Sequence, residues 1–321
     1  MTTPAPAADS SGVFPPGTPL AGRKTQEPSA GRGATRFGER LAGVFADEGR
    51  LCVGIDPHAH LLEAWGLPAS ADGLRSFGLT VVEAAAGRAG IVKPQVAFFE
   101  RFGAAGYGAL EEVLAAARAA GLLVIADVKR GDIGTSVTAY AEAWLTPGSP
   151  LEADAMTVAA YQGVGSLADA MALGERAGKG LFVLAATSNP EAADVQQAVV
   201  RSGPRAGQSV ARAIIEDVHS FNQEQPGGAP FGSVGLVLGA TVELAHYGID
   251  VATAGERTPA LPVLAPGFGH QGARVEDAPR LFGSLATGVI VSESRGLLTA
   301  GPAGLADAIA RRAEEVRSAH V

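Results

Sequence analysis

The sequence predicts an α/β fold, a (β/α)8 TIM barrel of parallel strands, preceded by a disordered N-terminal tail. Eight short, almost wholly apolar runs punctuate the chain. Apolar runs without polar alternation read as parallel strands buried on both faces. Between them lie longer Ala- and Leu-rich stretches with helical spacing, several ending in glycine as helix C-termini do. Polar residues gather at the C-terminal ends of the apolar runs, where barrels of this class carry their active sites. A chain of 321 residues, 47% of them hydrophobic, can bury one such core. An open, doubly wound sheet is the alternative topology.

Residues 1–34 form a separate zone: "MTTPAPAADSSGVFPPGTPL" holds five of the 20 prolines and has no periodicity, as a disordered tail does. The catalytic domain is expected over 35–321, opening with "TRFGERLAGVFADEG", a helical pattern ending at Gly49. The first four strands are expected at "LCVGID" (51–56), "GIVKPQ" (90–95), "LLVIADVK" (122–129) and "AMTVAA" (155–160). The other four are expected at "LFVLAATS" (181–188), "SVGLVLGA" (233–240), "PVLAPGFG" (262–269) and "GVIVSES" (288–294). Between them, "ALEEVLAAARAAG" and "SLADAMALGERAG" carry helical spacing and a terminal glycine.

Composition narrows the function classes. A net charge of −8 without a basic stripe argues against nucleic acid. An anionic substrate must therefore be held by a few placed cations rather than by the overall field. No run of about 18 apolar residues is present to span a membrane. The N-terminus has no charged-then-apolar leader, and a single cysteine points to a reducing cytoplasm. Cys52, inside "LCVGI", is expected to be a buried structural thiol.

The strand ends carry the chemistry. Asp56 follows the first run, Lys93 sits in the second, and Asp127 and Lys129 close the third. Asp127 and Lys129 are two apart, so on an extended strand they face one side. A buried lysine is costly unless carboxylates pair with it, and such pairing keeps it protonated. An ammonium held among carboxylates is a proton donor for a carbanion-like centre; a structural ion-pair network is the alternative meaning. Asp132 lies beyond the strand in the "RGDIG" turn and need not share that interior. Ser188 follows the fifth run. Loops after strands seven and eight of such barrels often bind phosphate; there "APGFGHQGA" offers backbone N–H groups and Gln271, and "SESRG" offers the fork of Arg295. His58 and His60 beside Asp56 have metal-like spacing, but no further His or Cys completes a site, so no metal is expected.

Taken together these motifs resemble the orotidine 5′-monophosphate decarboxylases. "ADVKRGDIG" is similar to that family's D-x-K-x-x-D-I signature, and "LCVGIDPH", "VKPQVAFFERFG", "TSNP", "APGFGHQGA" and "SRG" follow in the family's order. The resemblance spans about residues 36–315 and is closest to the longer bacterial branch found in mycobacteria and relatives. It implies decarboxylation of orotidine 5′-monophosphate to uridine 5′-monophosphate without a cofactor, by a homodimer with shared sites. It also implies the roles. Asp56 bonds the ribose hydroxyls, Lys93 joins a Lys–Asp–Lys–Asp network, Asp127 lies against the substrate carboxylate, and Lys129 gives its proton to C6. Asp132 serves the partner subunit's site, with Ile133 near the pyrimidine and Ser136 reaching across alongside. Ser188 bonds the pyrimidine edge, while Gln271 and Arg295 hold the phosphate. One departure stands out: the relatives read "TVNPY" where this chain has "TVAAY", Thr157 to Tyr161. The segment "SNPEAADVQQAVVRSGPRAG" after strand five is a candidate lid.

Two rivals share parts of this pattern. A sugar-phosphate enzyme of the same barrel group would keep the D-x-K-x-x-D strand end but need a divalent metal, which Lys93 would repel. A catalytically dead nucleotide-binding barrel is at odds with the intact charged set.

Overall fold

A computed structural model describes residues 35–225 and 227–319. The expected tail, residues 1–34, lies outside the described residues. All eight apolar runs form strands: β1 Leu51–Ile55, β2 Ile91–Pro94, β3 Leu123–Arg130, β4 Ala155–Val158, β5 Gly180–Ala186, β6 Val234–Leu238, β7 Val263–Pro266 and β8 Val289–Glu293. Each pairs in parallel with the next, and β8 closes on β1, giving a barrel in sequence order. Parallel neighbours need a crossover, and right-handed helical crossovers put the helices on the outside.

In chain order the helices are α1 Phe37–Asp47, α2 Ala59–Ala64, α3 Ala71–Ala85, α4 Val96–Glu100, α5 Gly103–Ala119, α6 Gly134–Leu145, α7 Ala168–Ala177, α8 Ala193–Gln196, α9 Val210–Glu224, α10 Ala278–Phe282, α11 Arg295–Leu298 and α12 Gly301–Ser318. The strict alternation expected from the sequence breaks between β6 and β7. There the described residues form only a short 3-10 turn, Leu244–Tyr247, before the chain returns. That segment, "TVELAHYGIDVATAGERTP", lacks a long apolar stripe, and Gly248 turns out of the helical region at φ 69°.

Side chains inside the barrel come from alternate strand positions. Cys52, Ile91, Leu123, Ile125, Ala155, Phe182, Leu264 and Ile290 make one cluster, joined by Phe37 and Leu41 of α1. Helix α1 therefore plugs the barrel with its apolar stripe. The Phe37 ring is fully buried and meets Phe182 edge-on, centroids 5.9 Å apart. Beneath it Gly180 leaves the room, since a Cβ there would come within 2.6 Å of the ring. The same end is pinned by charge: Arg40 reaches Asp154 at 2.6 Å, Lys179 reaches Glu152 at 2.8 Å, and Asp154 also accepts from Val124 N–H at 2.9 Å. Phe37→Ala should cost about 3–5 kcal/mol, the range for emptying a core aromatic site, measured by denaturant unfolding. A loss under about 1 kcal/mol would mean α1 is not part of the core.

Cys52 is fully buried in this cluster, and burial pushes its thiol up to about 12, as a structural thiol requires. No described helix is long and apolar enough to cross a membrane.

Candidate active site

Counting by two from interior residues leads to the mouth. Cys52 leads to Asp56, Ile91 to Lys93 and Gln95, Ile125 to Asp127, Ala155 to Thr157, and Ile290 to Ser292. Strand pleating alone thus turns an apolar plug into a polar floor within two or four residues.

The floor is a chain of charges. Lys93 Nζ lies 3.0 Å from Asp127 Oδ2 and 3.9 Å from Asp56 Oδ1, and Lys129 Nζ lies 2.6 Å from Asp127 Oδ1. Gln95 Nε2 donates to Asp127 Oδ2 at 2.8 Å, and the Thr157 hydroxyl donates to Asp127 Oδ1 at 2.8 Å. Asp127, buried, thus takes two donors on each oxygen. Burial by itself opposes its charge, but the Lys93 and Lys129 ammonium groups hold its carboxyl well below the usual carboxylate range. Burial also opposes charge on Lys93, and the Asp127 and Asp56 carboxylates outweigh it, holding the ammonium above the usual lysine range.

Asp56 is only half satisfied. Ser294 Oγ donates to its Oδ2 at 2.6 Å, while its buried Oδ1 has no hydrogen-bond partner. Only the Lys93 ammonium, 3.9 Å away, balances that oxygen, and a buried acceptor without a hydrogen bond is costly.

The backbone at Lys129 is unusual. Its φ is +46°, the left-handed region that costs a non-glycine residue about 1–3 kcal/mol. The β3–β4 register slips between Ala126 and Arg130. The two-residue alternation expected for Asp127 and Lys129 therefore ends at this bulge, and Lys129, itself exposed, folds back onto Asp127. Next to it Gly131 has no room for a side chain: a Cβ would sit 2.1 Å from the Ala159 carbonyl oxygen. Ala159 N–H also donates to Arg130 O at 2.9 Å, so backbone contacts occupy the "TVAAY" position. Arg130 forms a salt bridge with Glu100 at 2.8 Å.

Two hollows of about 290 and 260 Å³ share Asp56, Lys93, Pro266, Gln271 and Ser292, and together form one cleft. The first lies over the charged floor. Leu184, Val237 and Leu264 wall it, with Thr187, Ser188 and Asn189 at the exit of β5. The second runs past His58, Phe268 and His270 to Ser294 and Arg295. Helix α11, which Arg295 opens, has only four residues, so the guanidinium and the loop N–H groups must carry an anion there. Below the loops, Glu293 pairs with Arg312 at 2.5 Å, and its Oε1 would lie 2.3 Å from a Cβ at Gly269.

Of the residues singled out in the sequence, Asp56, Lys93, Asp127, Lys129, Ser188, Gln271 and Arg295 line this cleft. Asp132, Ile133 and Ser136 do not. Asp132 accepts from Ile133 N–H at 2.9 Å, and Ile133 is 61% exposed at the entry to α6. His58 and His60 stack on each other at 5.3 Å, and no group of three or more potential metal ligands is found among the described residues. Sequence reading missed Gln95, Thr157, Ser294 and the apolar wall. Gln95 had a usable signal, standing two residues after Lys93 on the same face.

A polar cleft at the strand C-termini, with buried charges at one end and a loop-borne arginine at the other, places the protein among the (β/α)8 barrel enzymes. The chain belongs to the orotidine 5′-phosphate decarboxylase / HUMPS family, whose model matches residues 49–304. It is 49% identical over 266 residues to the orotidine 5′-phosphate decarboxylase of Salinispora tropica, covering 83% of this chain and 91% of that one. To the enzyme of the same name from Streptomyces coelicolor it is 47% identical over 286 residues, covering 88% and 98%. Among solved structures, Leishmania donovani OMP decarboxylase superposes with a TM-score of 0.68 at 31% identity, over 89% of this chain and 99% of that one.

Proposed function

We propose that this protein decarboxylates orotidine 5′-monophosphate to uridine 5′-monophosphate and CO2, the last step of pyrimidine nucleotide synthesis, without a cofactor. The observation that carries the reading is the charged chain Asp56–Lys93–Asp127–Lys129 in a cleft whose far arm holds Gln271 and Arg295. The C6–carboxylate bond breaks, its electron pair stays on C6, and the Lys129 ammonium transfers a proton to that carbon as CO2 leaves. No ring or group of the substrate can spread that electron pair, so stabilisation must come from charge already in place. Asp127 lies against the departing carboxylate and holds both lysines. The Asp56 carboxylate accepts a ribose hydroxyl, Ser188 bonds the pyrimidine edge, and Gln271 with Arg295 grips the phosphate. Binding energy from that remote phosphate can be spent at C6.

A sugar-phosphate enzyme of the same barrel group would need a divalent metal. Here Lys93 Nζ occupies the space between Asp127 and Asp56 that a divalent cation would need. Purified protein in EDTA should therefore consume orotidine 5′-monophosphate, followed by its absorbance, at the rate seen without chelator. Absence of turnover that returns on adding a divalent cation would refute the assignment.

The second part of the proposal is a cytoplasmic homodimer whose sites are shared. Asp132, Ile133 and Ser136 do not line their own chain's cleft, and Ile133 and Tyr161, 61% and 83% exposed, are large apolar side chains left open to a partner. In a two-fold dimer each subunit would then lend these residues to its partner. Subunits carrying Asp127→Ala and Asp132→Ala, each inactive alone, should regain activity when mixed. With random exchange half the dimers are mixed and each has one intact site, so about a quarter of parental activity is expected. No recovery despite verified exchange would show that Asp132 acts within its own chain or not at all.

A further inference from the structure

The hydroxyl of Thr157 is placed as no ordinary strand residue requires. Thr157 is 1% exposed in β4, a β-branched side chain with few rotamers to choose from. Its Oγ1 accepts the backbone N–H of Lys129 at 2.9 Å and donates to Asp127 Oδ1 at 2.8 Å. The same Asp127 oxygen takes the Lys129 ammonium at 2.6 Å. Thr157, Asp127 and Lys129 thus close a ring in which the lysine is held at both ends, by its backbone N–H and by its Nζ.

That ring sits where the backbone most needs help. Lys129 has the one positive φ outside glycine among the described residues, at the register slip between β3 and β4. A regular parallel ladder would give its N–H a main-chain carbonyl; here the Thr157 hydroxyl takes that place. Remove the hydroxyl and two things fail together: the N–H loses its acceptor, and Asp127 Oδ1 loses its neutral donor, keeping only the Lys129 ammonium.

We propose that Thr157 is a positioning residue for the proton transfer: its hydroxyl fixes the bulge that carries Lys129 and aligns Asp127, and so sets where the Lys129 ammonium sits. The inference rests on Lys129 being the proton donor. Ground-state binding, centred on the phosphate and ribose contacts, does not pass through Thr157, so its loss should fall on kcat rather than KM.

The test compares Thr157→Val, which keeps shape and removes both hydrogen bonds, with Thr157→Ser, which keeps the hydroxyl. A donor misplaced by about 1 Å can cost about 100-fold, so Thr157→Val should lower kcat about 10- to 100-fold with KM within about threefold. Thr157→Ser should return kcat to within about threefold of the parent. Thermal unfolding checks that both variants are folded; if the valine variant is not, Thr157→Ala against Thr157→Ser carries the same comparison. Parental kcat in the hydroxyl-free variant, a loss confined to KM, or a serine variant as slow as the valine one would each overturn the proposal. Lys129→Ala, measured alongside, separates the two levels. If it keeps its rate, the proton-donor role itself fails; if it is inactive while Thr157→Val is fully active, only the positioning role fails.

Discussion

Lys129→Ala should lose nearly all turnover while still binding nucleotide. A cation about 4 Å from a carbanion, at an effective dielectric of about 20, contributes about 4 kcal/mol, which is about a thousandfold in rate. Loss of the general acid removes about another 100- to 10,000-fold. A fall of at least about 100,000-fold in kcat is therefore expected. Uridine 5′-monophosphate should still bind, because Arg295 lines the far hollow, which Lys129 does not reach. Steady-state kinetics and nucleotide binding by calorimetry are the two measurements. A variant within about tenfold of the parent would remove Lys129 from the chemistry.

The second large effect belongs to Arg295. A bidentate fork to phosphate makes two charge-assisted hydrogen bonds of about 1.5–3 kcal/mol each. The two bonds together are about 3–6 kcal/mol, so Arg295→Ala should lower kcat/KM about 100- to 25,000-fold on orotidine 5′-monophosphate. On orotidine, which has no phosphate, the same substitution should change kcat/KM by less than about threefold, since there is then no interaction to lose. An equal loss on both substrates would mean that Arg295 supports the fold or the ring site rather than the phosphate.

What the chain reveals before folding divides along a physical line. Each apolar run became a strand because burial on both faces leaves one kind of pattern, and β1 to β8 all carry it. Asp56, Lys93 and Asp127 were legible because a charge inside an apolar run demands an explanation and strand parity says which way it points. Thr157 was not. A threonine in a strand is favoured for its β-branching alone, so a hydroxyl bonded to Lys129 and Asp127 looks like any other. The bulge at Lys129 was equally hidden, because the pleat predicts the same facing for Asp127 and Lys129 whether or not the register slips. Between β6 and β7 the missing apolar stripe was a legible sign that no long helix forms, and among the described residues only the 3-10 turn Leu244–Tyr247 is there. Asp132, Ile133 and Ser136 carry no local signal for a partner's site; only the resemblance assigns them that role, and a single chain cannot display it.

The claim at the centre is that the Lys129 ammonium delivers the proton to C6. The reverse of that step is removal of the C6 hydrogen from the product, so the protein should exchange it with solvent. Uridine 5′-monophosphate incubated with the protein in D2O, followed by NMR, should lose its C6–H signal, and with Lys129→Ala the signal should persist although the nucleotide still binds. Exchange by Lys129→Ala at the parental rate would contradict the claim and assign the proton to another group.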